Sequence, residues 1–542
     1  MLKINFKLMN KLITFPVLLS AIISSCSIAI KDQEQGDNRP NIVLIMVDDM
    51  GYSDIGSYGS EIPTPNIDKL AFNGIRFSQF YKTARCCPTR ASLLTGLFPH
   101  QTGIGGMTNS PKGEHWAEWG TDGYIGYLNR NCVTLAEVLK DAGYHTYMTG
   151  KWHLGYHAKD RWPLQRGFEK YYGIIAGASS YFKPQGKRGL TLMNKALPPP
   201  EEDYYTTDAF TDYAIKFINE QEDNSPFFLY LAYNAPHWPL HAKQQDIEKF
   251  VGKYSLGWDS LRAQRFRKQV KMGLLNAKWG ISQRDERVRP WSEVIDAQKD
   301  SSDYRMAVYA AQIFAVDYNI GKLMKTLEDQ GELENTLILF LSDNGGCAEA
   351  YDEFGSKPFA RINDPDFSGA VSYGIGWANV SNTPFFEYKV KTYEGGISTP
   401  LIAHWPNQIK SQAGKITHNS GYLIDIMPTI LEVSGATYPE KYHQGQSIHP
   451  LEGKSLLPIF KSGIGDEHEY MYWEHQYNCA IRNKKWKAVK KLNDIDWKLF
   501  NLEEDRIESN DLAAKYPEIV TKLDEKWHKW AHSHQVLPKK AD

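Results

Sequence analysis

Residues 41–49, with the sequence Asn-Ile-Val-Leu-Ile-Met-Val-Asp-Asp, form a continuous apolar run that ends in two adjacent carboxylates. An apolar run without polar alternation predicts a β-strand that is buried on both faces, as in the middle of an α/β sheet. Further apolar runs alternate with helical patterns along the chain, at residues 134–142, 144–149, 208–221, 227–232, 304–329 and 336–342. We therefore predict an α/β fold with a largely parallel sheet and helices on both faces.

The pattern of predicted elements changes after Pro450. Short aromatic strands at residues 470–474 and 479–489 precede a terminal helix at residues 517–532, which indicates a small α+β domain. We therefore predict a large domain at residues 39–455 and a C-terminal subdomain at residues 456–542.

The amino terminus has the features of a processing signal. Lys3, Lys7 and Lys11 precede or open an apolar run that ends in small residues before Cys26. This pattern predicts a bacterial lipoprotein signal at residues 1–25, a lipid anchor on Cys26 and a polar tether at residues 26–38. The protein would then be exported to the periplasm or the cell surface and would touch a membrane only through that anchor. A plain secretory signal that is cut nearby is the alternative.

The composition excludes some classes of partner and framework. The 542 residues carry a formal net charge of −2 and no basic run or recognition motif, so no nucleic-acid partner is predicted. Six cysteines in so long an exported chain do not make a disulfide framework. Any pairing among Cys87, Cys132, Cys347 and Cys479 stays open.

Residues 86–96, with the sequence Cys-Cys-Pro-Thr-Arg-Ala-Ser-Leu-Leu-Thr-Gly, predict a helix that begins at a thiol. Proline is favoured in the first turn of a helix, and the apolar residues that follow would enter a core. Cys86 would lie at the positive end of the helix dipole, where an anion is stabilised. Arg90, one turn further on, can point back to the same place.

Oxygen donors follow two of the predicted strands. Asp48 and Asp49 come after the first strand, and Asp343 and Asn344 come after the strand at residues 336–342. Ligands bind at the carboxyl ends of strands in α/β sheets, and carboxylate and amide oxygens select a hard cation. The sequence predicts a calcium or magnesium site here. We also predict that the polar segment 251–302 forms a helical excursion over this site, because a structureless loop of that length is improbable.

The pattern Cys-x-Pro-x-Arg followed by Ala-Ser-x-Leu-x-Thr-Gly resembles the signature of type I sulfatases. Residues 150–155, Gly-Lys-Trp-His-Leu-Gly, and Lys389 with Glu394-Gly395-Gly396 resemble further motifs of that family, and residues 257–262 resemble a segment of its arylsulfatase-like members. The resemblance spans about residues 39–460. It implies an alkaline-phosphatase-like fold, with a large mixed sheet flanked by helices and a smaller C-terminal antiparallel sheet plus helix.

The resemblance also implies the chemistry of the site. A maturing enzyme would convert Cys86 to formylglycine, whose hydrate is the nucleophile, and calcium would be held by the modified Cys86 with Asp48, Asp49, Asp343 and Asn344.

The same resemblance implies roles for five other residues. Arg90 and Lys151 would bind the sulfate, and Lys389 would complete the ring of cations. His153 would take a proton from the hydrate, and His237 would lie near the leaving group.

The export signal, the aromatic content and the intact motifs favour a bacterial carbohydrate sulfatase that acts on a sulfated glycan, with aryl sulfates as surrogate substrates. Candidate sugar contacts are Trp238, His241, Glu474 and His475. A formylglycine-dependent phosphonate monoester or phosphodiester hydrolase of the same fold is the alternative enzyme. A non-catalytic glycan-binding lipoprotein would be expected to show a damaged site, and no expected residue is missing.

Overall fold

The first predicted strand lies in the middle of the sheet. In the computed structural model, which describes residues 37–108, 120–349 and 351–538, β1 (Asn41–Val47) is buried along its whole length. Its alternate side chains enter two different hydrophobic clusters: Ile42, Leu44 and Met46 face one, and Val43, Ile45 and Val47 face the other. Burial on both faces explains why this strand has no polar alternation.

The main sheet has ten strands, and five adjacent ones in its centre run parallel. The other strands pair antiparallel except at the β11–β2 edge, so the sheet is mixed. In spatial order the strands are β11 (Ile416–Thr417), β2 (Ile75–Phe77), β10 (Leu401–His404), β9 (Thr336–Ser342), β1, β8 (Phe227–Ala232), β4 (His145–Lys151), β5 (Lys170–Ile174), β6 (Leu190–Leu192) and β7 (Lys195–Ala196).

Helices cover both faces of this sheet. On the face of Val43 lie α1 (Pro65–Phe72), α4 (Thr206–Asn219), α5 (Gln244–Ile247), α6 (Gly257–Lys271), α7 (Asp296–Asp329) and α8 (Ile375–Ser381). With the cluster of Ile42 pack α2 (Cys86–Thr95), α3 (Leu135–Asp141), α9 (Glu394–Ile397), α10 (Pro406–Ile409), α11 (Ile426–Ser434), α12 (Leu457–Ser462) and α13 (Pro517–Ser533). The predicted α/β architecture is confirmed.

The smaller sheets lie mainly towards the C-terminus. Two short pairs are β3 (Phe80–Tyr81) with β12 (Gly421–Tyr422) and β13 (Lys441–Tyr442) with β14 (Gln446–Ser447). The C-terminal antiparallel sheet consists of β15 (Met471–His475), β16 (Asn478–Asn483), β17 (Trp486–Lys490) and β18 (Lys498–Asn501). The sequence pattern predicted one strand at residues 479–489, but this stretch is a hairpin, with Lys484 in the left-handed region at φ 49°.

The polar segment 251–302 differs from its prediction in where it packs. Its main helix, α6, is anchored by Arg265 to Asp54 and Glu61 at 2.7 and 2.8 Å, and the Trp258 ring packs beside Gly376 of α8. The segment therefore packs against α8 and residues 53–61. Its last residues extend the predicted helix at 304–329 back to Asp296.

The N-terminal predictions lie mostly outside the described residues. The signal at residues 1–25, the anchor on Cys26 and the tether as far as residue 36 belong to the part of the chain that is not described. Among the described ranges, no helix combines the length and apolar character that a membrane span needs. The five cysteines of those ranges, Cys86, Cys87, Cys132, Cys347 and Cys479, are buried free thiols.

A buried ion cluster joins the C-terminal sheet to α9, the helix that leads into β10 of the main sheet. Lys487 Nζ in β17 lies 3.0 Å from Glu394 Oε1 and 2.8 Å from Glu508 Oε1, and Arg506 Nε lies 3.1 Å from Glu394 Oε2. All four side chains are at most 1% exposed. The structure thus gives Glu394, the acid of the Glu-Gly-Gly motif, a joining role between the two sheets.

Replacing Lys487 by methionine leaves two buried carboxylates with one cation. Removal of one partner from a buried ion pair typically costs about 3–5 kcal/mol, so we expect the free energy of unfolding of Lys487→Met to fall by about that amount. Chemical denaturation measures it. Lys485→Met, at an exposed position on the same hairpin, is the matched control and should change stability by less than about 0.5 kcal/mol. Equal effects in the two variants would contradict the joining role of this cluster.

Candidate active site

Four neighbouring strands bring the predicted site residues to one edge of the sheet. The strands β9, β1, β8 and β4 are adjacent and parallel, so their carboxyl ends meet. Asp343 and Asn344 follow β9, and Asp48 and Asp49 follow β1. The other two strands supply the residues that are predicted to act on the substrate: β4 ends at Lys151 and leads to His153, and β8 leads to His237.

The oxygen donors after β1 and β9 form one buried group. Asp49 has a φ of 66°, and its backbone N–H donates to Asp343 Oδ1 at 3.1 Å. Asn344 Nδ2 donates to Asp49 Oδ1 at 2.8 Å. Asp48 Oδ1 and Asn344 Oδ1 are buried and find no hydrogen-bond partner among the described residues. Buried oxygens without partners are costly, and a bound hard cation would satisfy them, so the donor set fits calcium or magnesium.

Arg90 and Lys151 balance part of this negative charge. Arg90 Nη2 lies 3.1 Å from Asp343 Oδ2 and 3.4 Å from Asp48 Oδ2, and Arg90 Nη1 donates to the Lys151 carbonyl at 2.9 Å. Lys151 Nζ forms an ion pair with Asp48 Oδ2. Burial, together with the neighbouring Asp343, nevertheless raises the pKa of Asp48 to about 7.

Lys389 reaches the same group from a loop. Its Nζ donates to Asp49 Oδ2 at 2.8 Å. Burial disfavours ionisation of Asp49, but Lys389 and His237 hold its pKa below the usual value. The loop is fixed by a bond from the Lys389 N–H to the Gly346 carbonyl at 3.2 Å and by Tyr388, whose hydroxyl donates to Asp285 at 3.0 Å. The segment 251–302 therefore supports the site through Asp285.

Cys86 begins the fully buried helix α2. Arg85 precedes it in an extended conformation, and Gly96 closes the helix in the left-handed region with its N–H on the Ser92 carbonyl at 2.8 Å. Thr89 Oγ1 donates to the Asp343 carbonyl at 2.7 Å, which fixes the first turn of α2 against the end of β9. Cys86 is held next to the metal-ligand candidates by these contacts.

His153 lies beside the start of α2. A ring nitrogen of His153 and the sulfur atoms of Cys86 and Cys87 lie within 4.8 Å of one another. Burial lowers the pKa of His153 to about 4, so the imidazole is neutral at neutral pH and able to accept a proton. The ring fills the space in front of Gly177, where an added Cβ would come within 2.4 Å of it.

His237 lies on the side of Asp49. Its Nδ1 is 2.7 Å from the Trp238 carbonyl, and its Nε2 is 3.5 Å from Asp49 Oδ2. Burial lowers the pKa of His237, and Asp49 opposes that effect. Nδ1 donates its proton to the carbonyl, and Nε2, on the side of Asp49, is the nitrogen that can exchange a proton in the site.

The four predicted sugar contacts lie in different surroundings. Trp238 is partly exposed, and its Nε1 donates to Glu349 at 3.1 Å. His241 is buried under Phe182 and Tyr181. The structure does not bring the other two to the surface either: the Glu474 carboxylate accepts hydrogen bonds from His100 and Tyr124 at 2.8 and 2.9 Å, and the buried His475 has its Nδ1 at 3.2 Å from the Gly105 carbonyl.

Sequence reasoning missed Arg85 and Glu349. Arg85 Nη1 lies 2.7 Å from Glu349 Oε1, and Lys389 Nζ lies 3.6 Å from Glu349 Oε2. Both residues adjoin predicted motifs, Arg85 directly before Cys86 and Glu349 five residues after Asn344. That adjacency was the signal that could have found them.

The sequence model of the Sulfatase family matches residues 40–436 of this chain. The chain is a member of the sulfatase family. A second family model, "N-sulphoglucosamine sulphohydrolase, C-terminal", matches residues 383–533. The recognised resemblance to type I sulfatases is thereby confirmed, and this sulfatase is a sulfuric ester hydrolase.

Relatives and solved structures agree with that assignment. An uncharacterised sulfatase of Schizosaccharomyces pombe is 33% identical over 92% of this chain and 94% of its own length. An arylsulfatase of Klebsiella aerogenes is 34% identical over 78% of this chain and 92% of its own. The crystal structure of Ps i-CgsB in complex with k-i-k-neocarrahexaose is 28% identical with a TM-score of 0.65, and the match covers 91% of this sulfatase and 93% of that chain.

The close contact between Gly177 and His153 yields a test of the site. A Cβ at residue 177 must displace the imidazole, and a misplacement of about 1 Å costs roughly 10²-fold in rate, so we expect kcat/KM of Gly177→Ala on an aryl sulfate to fall by about that factor. Gly189→Ala, in the same connection between β5 and β6, is the control, since its Cβ would meet backbone atoms of residues 185 and 186 at 3.1 Å or more and would not touch His153. Full activity in Gly177→Ala would show that the position of His153 does not matter for the reaction.

Proposed function

We propose that this sulfatase hydrolyses O-sulfate esters of glycans with a formylglycine formed from Cys86 by a maturing enzyme and with a bound calcium ion. The observation that carries the proposal is the position of Cys86 at the N-terminus of α2. Buried oxygens of Asp48 and Asn344 without hydrogen-bond partners and the buried cation of Lys151 belong to the same site. The glycan substrate is supported by Ps i-CgsB, which was solved with k-i-k-neocarrahexaose. Aryl sulfates serve as surrogate substrates, in line with the arylsulfatase relative.

The metal would be held by Asp48, Asp49, Asp343 and Asn344, with the modified residue 86 beside them. Calcium suits this set because it accepts mixed carboxylate and amide oxygens in flexible geometry. A bound divalent cation at this position would supply charge stabilisation to the sulfate oxygens.

The chain's own cations bind and orient the sulfate. Lys151 forms an ion pair with Asp48, Lys389 forms one with Asp49 at 2.8 Å, and Arg90 lies 3.4 Å from Asp48. Fixed donors in a buried site stabilise developing negative charge without reorganisation, which is the largest contribution in many enzymes.

The two histidines divide the proton transfers. An aldehyde at residue 86 supplies, as its hydrate, the oxygen nucleophile. His153, neutral and adjacent to residue 86, would act in the second step, after the sugar has left: it would take the proton of the remaining hydroxyl of residue 86 as sulfate departs from that residue. His237 acts in its doubly protonated form, which Asp49 stabilises at 3.5 Å from Nε2: it gives the Nε2 proton to the leaving oxygen of the sugar, with Lys389 assisting, and keeps the Nδ1 proton on the Trp238 carbonyl.

We also propose that the protein is exported and held by a lipid on Cys26 in the bacterial periplasm or at the cell surface. The support is the pattern of Lys3, Lys7 and Lys11, the apolar run and the small residues before Cys26.

The nucleophile is tested with a matched pair of adjacent thiols. In a host with a maturing enzyme, the peptide that contains Cys86 should lose about 18 Da relative to the thiol form. Cys86→Ala should abolish sulfate release from sulfated oligosaccharides and from an aryl sulfate, because the nucleophile is gone. Cys87→Ala should keep both the mass change and sulfate release. Sulfate release by Cys86→Ala would exclude the proposed nucleophile.

The metal site is tested by binding and thermal stability. Calcium that binds only the folded state adds about 2.7 kcal/mol at 100 times its Kd, so the melting temperature of the chelator-treated protein should rise on calcium addition. Asn344→Ala should lose most of this rise because it removes a ligand oxygen. Asn379→Ala removes a buried amide in α8 and should keep the rise. An equal rise in the Asn344 variant would contradict the proposed ligand set.

A further inference from the structure

Arg85 and Glu349 form an ion pair at the point where the buried charges of the site reach solvent. Their side chains are 14% and 22% exposed, whereas those of Arg90, Lys151 and Lys389 are at most 1% exposed. Arg85 directly precedes Cys86, so the pair adjoins the nucleophile position. When the sulfate of a substrate lies beside residue 86, the part of the substrate to which the sulfate is attached therefore lies next to Arg85 and Glu349.

Glu349 is oriented by four partners. Its Oε1 pairs with Arg85 at 2.7 Å. Its Oε2 accepts hydrogen bonds from Trp238 Nε1 at 3.1 Å and from the Cys347 thiol at 3.5 Å, and Lys389 Nζ lies 3.6 Å from it. Burial disfavours its ionisation, but Lys389 and Arg85 hold its pKa well below the usual value. The carboxylate is thus fixed in place on the same side of the site as His237, the residue before Trp238.

A fixed carboxylate is unexpected next to a site that binds an anion, because like charges repel. By itself it would repel a sulfate ester, but Arg85 neutralises it, so the pair adds acceptor oxygens without net charge. Oε2 is occupied by its donors, but Oε1 has Arg85 as its partner and keeps a further lone pair, for which a hydroxyl group is the natural donor. A second sulfate or a carboxylate brings acceptors only and would face the Glu349 oxygens without a proton to share.

Trp238 adds an apolar surface to this pair. Its ring is partly exposed and is approached by the Arg188 guanidinium at 5.6 Å from the ring centroid. An apolar face next to a hydrogen-bond acceptor matches a sugar ring, which presents C–H groups on its faces and hydroxyls at its edge.

We propose that Arg85, Glu349 and Trp238 form a subsite for the sugar ring that carries the scissile ester, in which Glu349 accepts a hydrogen bond from a free hydroxyl next to that ester. The subsite selects monosulfated units over units with a second sulfate on the neighbouring hydroxyl. This inference rests on the proposed action on glycans and deepens it.

The test compares Glu349→Gln with Glu353→Gln. Glutamine keeps the size of the side chain and a carbonyl acceptor but removes the charge. Glu353 belongs to an arginine pair of the same kind four residues further on, with Arg289 at 2.9 Å, and is the matched control. Three substrates are compared. The first is the galactose or glucosamine monosulfate isomer that the wild type hydrolyses fastest, and the second is the same sugar with another sulfate on the adjacent hydroxyl. The third is 4-nitrophenyl sulfate.

For Glu349→Gln we expect kcat/KM on the monosulfated sugar to fall at least tenfold more than kcat/KM on 4-nitrophenyl sulfate, which has no hydroxyl next to its ester. The preference for the monosulfated over the disulfated sugar should shrink at least tenfold. Glu353→Gln should leave both ratios at the wild-type values. Trp238→Phe, which removes the N–H bond to Glu349 but keeps an aromatic face, should lower the sugar-to-aryl ratio in the same direction and serves if the first variant does not fold.

Equal losses of Glu349→Gln on sugar and aryl substrates would overturn the inference, because they would show that Glu349 only positions Lys389. That result would leave the proposed glycan sulfatase activity intact. A wild-type enzyme that hydrolyses 4-nitrophenyl sulfate but none of the sugars would instead overturn the proposed substrate class and the subsite with it.

Discussion

The structure depends on the neutralisation of buried charge at one edge of the main sheet. Arg90 contacts Asp48, Asp343 and the Lys151 carbonyl, and so connects α2 with the ends of β1, β9 and β4. Removing one member of a buried ion group leaves an uncompensated charge, which costs far more than a missing surface pair. The same ion pairs therefore hold the strand ends in register and keep a site for an anionic substrate free of excess negative charge.

Much of the fold could be predicted because its signals are local. The apolar run of β1, the helical pattern at residues 134–142 and the apolar run of β9 each predict their own element from a few neighbouring residues. The convergence of the site residues also follows from sequence, since residues after parallel strands meet at one edge. The order of the strands along the sheet is the one further fact that decides which of these residues become neighbours.

The remaining features depend on contacts between distant segments. No local pattern shows that Arg85 pairs with Glu349, that Glu474 accepts from His100, or that residues 479–489 turn back as a hairpin. The composition of the long polar segment 251–302 indicates that it is helical and charged, but it does not indicate which surface the segment covers. Its actual role is indirect: Asp285 holds Tyr388, which precedes Lys389.

The ion cluster of Glu394, Lys487, Glu508 and Arg506 limits when some contacts of the fold can form during synthesis of the chain. Glu394 receives its cations from Lys487 and Arg506, which lie 93 and 112 residues further along the chain. The ion pairs of Glu394, at the end of the loop that carries Lys389, therefore cannot form until those residues have been synthesised. Cys86 is made early, yet it becomes enclosed only when the rest of the chain has closed around α2. A chemical change that needs access to the Cys86 side chain thus has nearly the whole period of synthesis in which to occur.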